Sequence, residues 1–172
     1  MEPIISKALQ EKDQEDEAET AQRNIRRKRL IISNIPDEIE KAEDSDFVVT
    51  FAKELDIEIK KDIIKKTFRI KRKNYPNKPM LTVEFHKVSD KLKFLDPSVF
   101  AKIKSFESGH NYHKYYVSHD RTIKQRENHN RLLAQAAVKN AELQSTGNPN
   151  NMIYIVCNEV LAQVKKRLPP DQ

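Results

Sequence analysis

Arg29-Leu-Ile-Ile-Ser-Asn-Ile-Pro36 is the stretch on which the fold turns. Its β-branched run, stopped by Pro-Asp, reads as a buried strand ending in a turn. Beyond it, Phe47, Val48, Phe51 and Leu55 recur at helical spacing. Asp44 or Ser45 can serve as N-cap, and acids gather where the helix dipole favours them. Ile63 to Lys73 then alternates basic and apolar residues, most clearly at Phe68-Arg69-Ile70-Lys71. One side of such a strand can face a core while the other presents positive charge. Asn74-Tyr-Pro-Asn-Lys-Pro79 reads as a turn, and Met80-Leu-Thr-Val-Glu-Phe85 as a third strand with Leu81, Val83 and Phe85 on one face. A second helix starts near Ser89, with Leu92, Leu95, Val99, Phe100 and Ile103 inward and a break or new cap at Asp96-Pro97. Tyr115-Tyr-Val117, after the Gly109-His110-Asn111 loop, is a fourth strand.

The order β-α-β-β-α-β predicts an α+β, ferredoxin-like sandwich over residues 26–120. On its N-terminal side, residues 1–25 form a charged segment, helical or disordered, whose apolar stripe (Leu9, Ala18, Ala21, Ile25) is too thin to fold alone. On its C-terminal side, residues 121–172 read as an extension: a basic helix capped by Asp120 and reaching about Leu143, then Ile153-Tyr-Ile-Val-Cys157 and Val160-Leu-Ala-Gln-Val164. The last two runs suggest a β-hairpin, with a helix over 159–167 as the rival.

The chain of 172 residues carries a net charge of +6, arranged in alternating blocks. Residues 36–59 hold nine acids and two lysines, whereas 60–78 hold nine basic residues and one acid, Asp62. Blocks of this size place opposite signs on different faces of a fold, and the bland account of each is a solvated surface. One cysteine, Cys157, rules out an intrachain disulfide and fits a reducing compartment, so a nuclear or cytoplasmic location is expected. Cys157 sits in an apolar run and reads as a small buried hydrophobe. No apolar run approaches the length of a membrane span, and the acidic start is unlike a signal peptide.

The two motif strands of an RNA-recognition motif (RRM) test the fold further. Leu30-Ile31-Ile32-Ser33-Asn34-Ile35 fits the shorter motif except that Ile31 replaces an aromatic. Lys78-Pro-Met-Leu-Thr-Val-Glu-Phe85 keeps the basic start, Val83 and Phe85 of the longer motif but puts Met80 and Thr82 where two rings belong. The core-facing half survives and the RNA-facing half does not. Each ring stacks a base with roughly 1–3 kcal/mol, so the usual recognition mode is lost and an apolar sheet face is left.

What remains is electrostatic. Arg26, Arg27, Lys28 and Arg29 lead into the first strand; Arg69, Lys71, Arg72, Lys73 and Lys78 flank the second strand and its turn; Arg121, Lys124, Arg126 and Arg131 line the late helix. Converging, these form a groove that tracks phosphates and makes binding salt-dependent. Tyr75, Tyr112, Tyr115 and Tyr116 could add stacking, although a strand or turn tyrosine more often packs.

The same residues carry a resemblance. The order Arg26-Arg-Lys-Arg-Leu-Ile-Ile-Ser-Asn-Ile-Pro36, acidic helix, Phe68-Arg-Ile-Lys-Arg72, Lys78-Pro-Met-Leu-Thr-Val-Glu-Phe85 and Val117-Ser-His-Asp-Arg-Thr122 leading into a basic helix resembles the first-open-reading-frame proteins of LINE-type retrotransposons and host genes derived from them. The likeness covers about residues 25–143. It implies a non-standard RRM with a basic C-terminal region that coats single-stranded RNA as a chaperone, with contacts on Arg69, Arg72, Arg126 and Arg131. The sequence departs from that family in having almost no coiled coil before the RRM, which puts trimerisation and cooperative coating in doubt.

Enzyme signatures are missing. There is no P-loop, dinucleotide fingerprint or G-x-S-x-G, and Cys157 lacks neighbours that would activate a thiol. His110, His113, His119 and Cys157 lack paired-ligand spacing for zinc. The expectation is a non-enzymatic protein without cofactor or metal that binds single-stranded RNA or DNA with little sequence preference. The alternative is a degenerate RRM fold that docks a protein through its sheet face or N-terminal helix.

Overall fold

A computed structural model describes residues 2–35, 43–72, 75–148, 151–157 and 159–166, side chains excepted at 2–11, 72 and 75–78. The chain divides into two compact units, Met1–Asp120 and Arg121–Gln172.

The first unit begins with a long helix, α1 (Glu2–Arg26), then β1 (Arg29–Ser33), α2 (Asp44–Glu54), β2 (Ile64–Arg72), β3 (Tyr75–Phe85), α3 (Val88–Lys93), α4 (Pro97–Ser105) and β4 (Tyr116–His119). The four strands form one antiparallel sheet in the order β2-β3-β1-β4. The register pairs Leu30 with Val83, Ile32 with Leu81 and Ile32 with Val117. Directly opposed residues share a face, and these five are buried together with Phe85. Val48, Phe51 and Ala52 of α2, Val99 and Ile103 of α4, and Ile35, Leu55, Ile57, Phe94 and Tyr115 between elements complete the core. Phe51, Tyr112 and Tyr115 meet at ring separations of 5.1–5.6 Å. Burial, then repulsion from Tyr112, pushes the Tyr115 hydroxyl up to about 12.

Several expectations shift. β3 begins at Tyr75, so strand occupies what read as a turn up to Pro79; Lys73 and Asn74 lie outside the described residues, as do Pro36 and Asp37. The second helix is two helices. Asp96 caps the second through Ser98 N–H at 2.9 Å, and Pro97 fills the first helical position, where no N–H is needed. Leu92, expected inward, is exposed, and Phe94, beyond the last turn of α3, is buried instead. Asp44 is not the cap of α2 but its first residue. β1 ends where Asn34 takes a left-handed conformation (φ 68°) and its side-chain amide donates to the Lys114 carbonyl at 2.8 Å.

The second unit is one helix and one hairpin. Thr122, not Asp120, caps α5 (Ile123–Ser145): its hydroxyl accepts from Gln125 N–H while the Gln125 side chain accepts from Thr122 N–H. β5 (Met152–Cys157) and β6 (Val160–Lys165) pair antiparallel, so the hairpin forms and the rival helix does not. Asn140 ties β5 to α5 with both ends of its amide, donating to Tyr154 C=O at 2.9 Å and accepting from Tyr154 N–H at 2.6 Å. Leu132 and Ala136 are the buried residues of α5. Cys157 is exposed, contrary to its reading as a buried hydrophobe, because a two-stranded ribbon has one face too many for the apolar residues it carries.

Candidate nucleic-acid interface

The first unit gathers charge at the junction of α1 with β1. Three bonds fix that junction. Arg26 Nη1 donates to Asp120 Oδ1 at 3.0 Å, the Lys91 ammonium, 5 % exposed, donates to Arg27 C=O at 3.0 Å, and Phe85 N–H donates to Lys28 C=O at 3.0 Å. The last of these extends the β1–β3 ladder by one residue, so Lys28 and Arg29 leave the helix on a rigid strand. Arg26 is thereby paired with Asp120, its side chain remaining 31 % exposed.

Opposite them, β2 is irregular. Ile64 pairs with Phe85 and Lys66 with Glu84, leaving Lys65 as an extra residue. Strict alternation would send Lys65 and Lys66 to opposite faces, but a bulge brings two residues against one. Lys65 Nζ donates to Glu84 Oε1 at 2.7 Å, and Arg29 Nε donates to Glu84 Oε2 at 2.9 Å. The Lys65 bond, with Arg29's, holds the Glu84 carboxyl below the ordinary carboxylate range despite its desolvation. Lys28 and Lys66 have no acidic partner among the described residues. The result is an open cleft of about 640 Å³ lined by Asn24, Ile25, Lys28, Arg29, Lys65, Lys66 and Glu84. Among the described residues four cations surround one carboxylate, a net of +3.

Phe68 adjoins this cleft. The Arg29 guanidinium lies 5.2 Å from its ring centre and the Lys66 ammonium 5.5 Å, both within cation–π range. Phe68 pairs with Thr82, and Thr82 with Ile31, so the three form one row on the sheet face away from α2 and α4. Tyr116, 58 % exposed, and Ile70, 39 % exposed, occupy the same face.

Arg69 has a different role from the phosphate contact expected of it. It pairs with buried Leu81 and therefore faces the helices. There its Nη2 donates to Asp44 Oδ1 at 2.6 Å and its Nε to both carboxylate oxygens at 3.0 and 3.2 Å. The two side chains are 6 % and 3 % exposed. A guanidinium so enclosed cannot meet a polyanion. Lys71 and Arg27 are exposed. The side chains of Arg72 and Lys78, and all of Lys73, fall outside the described residues.

In the second unit Lys124, Arg126 and Arg131 are exposed and Arg121 is half-buried. Lys124 and Arg131, seven residues apart, share one flank of α5, while Arg126 lies roughly 140° around the helix from Arg131. They do not make one stripe. Arg131 donates to Asn128 Oδ1 at 2.8 Å. His129 is held below its ordinary value by burial, then by Arg121, against the opposing pull of Glu159.

Sequence reading therefore found Lys28 and Arg29 but missed Lys65, Lys66, Glu84 and Phe68. The doubled lysine was visible; the bulge that aims both at one side was not. Among the described residues no group of three or more histidines, cysteines or carboxylates could hold a metal ion, and no helix is long and apolar enough to cross a membrane. No protein-family model matches this chain, and no curated protein matches it.

Proposed function

We propose that the first unit is an RRM-like domain of ferredoxin-like topology that binds single-stranded RNA or DNA with little sequence preference. The strand order β2-β3-β1-β4 and the helical crossovers β1–α2–β2 and β3–α3–α4–β4 support the topology. The observation that carries the binding is the cleft, in which the β2 bulge sets Lys65 and Lys66 facing Lys28 and Arg29 around the Glu84 carboxylate. Its partners are phosphates, so affinity falls with salt. If four phosphates are neutralised, log K falls with log salt at a slope of about −2.8 for a single strand. Between 50 and 200 mM salt that is a loss of roughly 50-fold. The likeness to LINE-type first-open-reading-frame proteins supports the same reading and adds strand annealing as an activity to assay.

The test is fluorescence anisotropy of a labelled single-stranded RNA with the full chain at several salt concentrations. Lys65→Gln with Lys66→Gln reduces the slope by about 1.4. An unchanged slope removes the cleft from the interface.

A second reading, protein docking, is favoured by exposed Ile70 and Tyr116 on the sheet face that lacks the usual rings. A partner retained through nuclease treatment and high salt supports it, and a partner lost under nuclease counts against it.

A further inference from the structure

We infer that the row Phe68–Thr82–Ile31, roofed by Arg29, is a seat for one unpaired nucleobase, a role that rests on the nucleic-acid reading of the cleft beside it. Two independent observations meet here. First, Phe68 is an aromatic ring outside the core cluster, on the sheet face away from the helices, with a guanidinium 5.2 Å and an ammonium 5.5 Å from its centre. Arginine planes and aromatic faces are the surfaces on which unpaired bases stack. Second, the Thr82 hydroxyl, directly across from Phe68, is fully buried and has no hydrogen-bond partner. Buried polar atoms are nearly always paired, so an orphan at the foot of an aromatic ring points to a ligand group.

The arrangement differs from a standard RRM platform. The central strands carry Ile31 and Thr82 where rings belong, and the ring stands one strand outward, on β2. A base that replaces the Arg29 guanidinium over Phe68 releases that cation toward the adjoining phosphate, beside Lys65 and Lys66. Displacement of the ring's cover opens Thr82 to the base edge. A hydroxyl both donates and accepts, so it satisfies any base edge, in keeping with weak sequence preference.

The experiment compares a labelled oligouridylate with a strand of equal length made of abasic units, by anisotropy with the full chain at two salt concentrations. Wild type is expected to bind the oligouridylate about five- to 150-fold more tightly than the abasic strand. Phe68→Ala is expected to lose that preference while keeping the salt slope. Thr82→Val is expected to raise the melting temperature, since it removes an orphan polar atom, yet to weaken binding of the oligouridylate alone. Equal wild-type affinity for the two strands, or a Phe68→Ala or Thr82→Val protein that retains the wild-type preference, overturns the seat. Absence of binding to either strand at low salt overturns the cleft reading itself, so the two failures are distinguishable.

Discussion

Arg69 and Asp44 form the one near-fully enclosed ion pair among the described residues of the first unit, and their separate removal gives the sharpest test of the fold account. Asp44→Leu leaves a guanidinium 6 % exposed with its carboxylate gone; Arg69→Met leaves a carboxylate 3 % exposed. Breaking a buried pair from one side costs about 3–5 kcal/mol, because the surviving charge stays desolvated. That is a large part of the ~5–15 kcal/mol of a typical domain, and at about 4 °C per kcal/mol it lowers the melting temperature by roughly 12–20 °C. Asp44→Leu combined with Arg69→Met removes both charges and recovers much of the loss, since well-packed apolar replacements of buried pairs are often neutral. Urea denaturation of the four proteins gives the coupling as a double-mutant cycle. RNA affinity per folded molecule is expected to be unchanged in the double variant, because neither side chain reaches the cleft. Additive losses in stability, or an RNA defect in the folded double variant, would refute this reasoning and return Arg69 to the interface.

Glu84→Gln removes the only carboxylate lining the cleft among the described residues; RNA affinity at low salt is expected to rise several-fold and the salt slope to steepen by about 0.7, read by anisotropy. Because the Lys65 and Arg29 bonds depress the Glu84 pKa below 4.5, its contribution to stability is complete above pH 4.5 and is lost as pH falls through the folded value. The wild-type stability curve should therefore drop more steeply in acid than that of Glu84→Gln. Tyr115, pushed up to about 12 by burial, stabilises the fold fully below pH 10 and ceases to do so as pH rises toward 12; burial also raises Tyr112, so absorbance at 295 nm should show late tyrosine ionisation whose amplitude is smaller in Tyr115→Phe. Thr122→Ala removes the capping box of α5 and is expected to cost about 0.5–2 kcal/mol by thermal unfolding, against almost nothing for Asp120→Asn at that helix.

The halves of the sheet that face the helices were legible because burial there obeys period two. Leu30, Ile32, Leu81, Val83 and Phe85 alternate in sequence and are all buried. β2 was not legible in the same way. Apolar-in, polar-out reasoning sends Phe68 and Ile70 to the core and Arg69 to solvent, and the register with β3 does the opposite by pairing Arg69 with Leu81. At that inverted position Asp44, twenty-five residues earlier, neutralises the buried guanidinium. A long-range pair of this kind leaves no local trace. The bulge at Lys65 is likewise a property of two strands together, so the cleft could be guessed at Lys28 and Arg29 but not at Lys65 and Lys66. Helix caps failed for a simpler reason. Asp120 and Thr122 are both good caps by type, and Asp120 is taken by Arg26.

The most direct measurement is the salt dependence of single-stranded RNA binding by the wild-type chain beside its Lys28→Gln, Lys65→Gln, Lys66→Gln form, all three side chains lying in the cleft. A cleft that neutralises phosphates gives a steep wild-type line and one shallower by about 2 in the variant, the two meeting at high salt. Parallel lines of equal height would contradict it, since the bound strand would then be held elsewhere on the molecule.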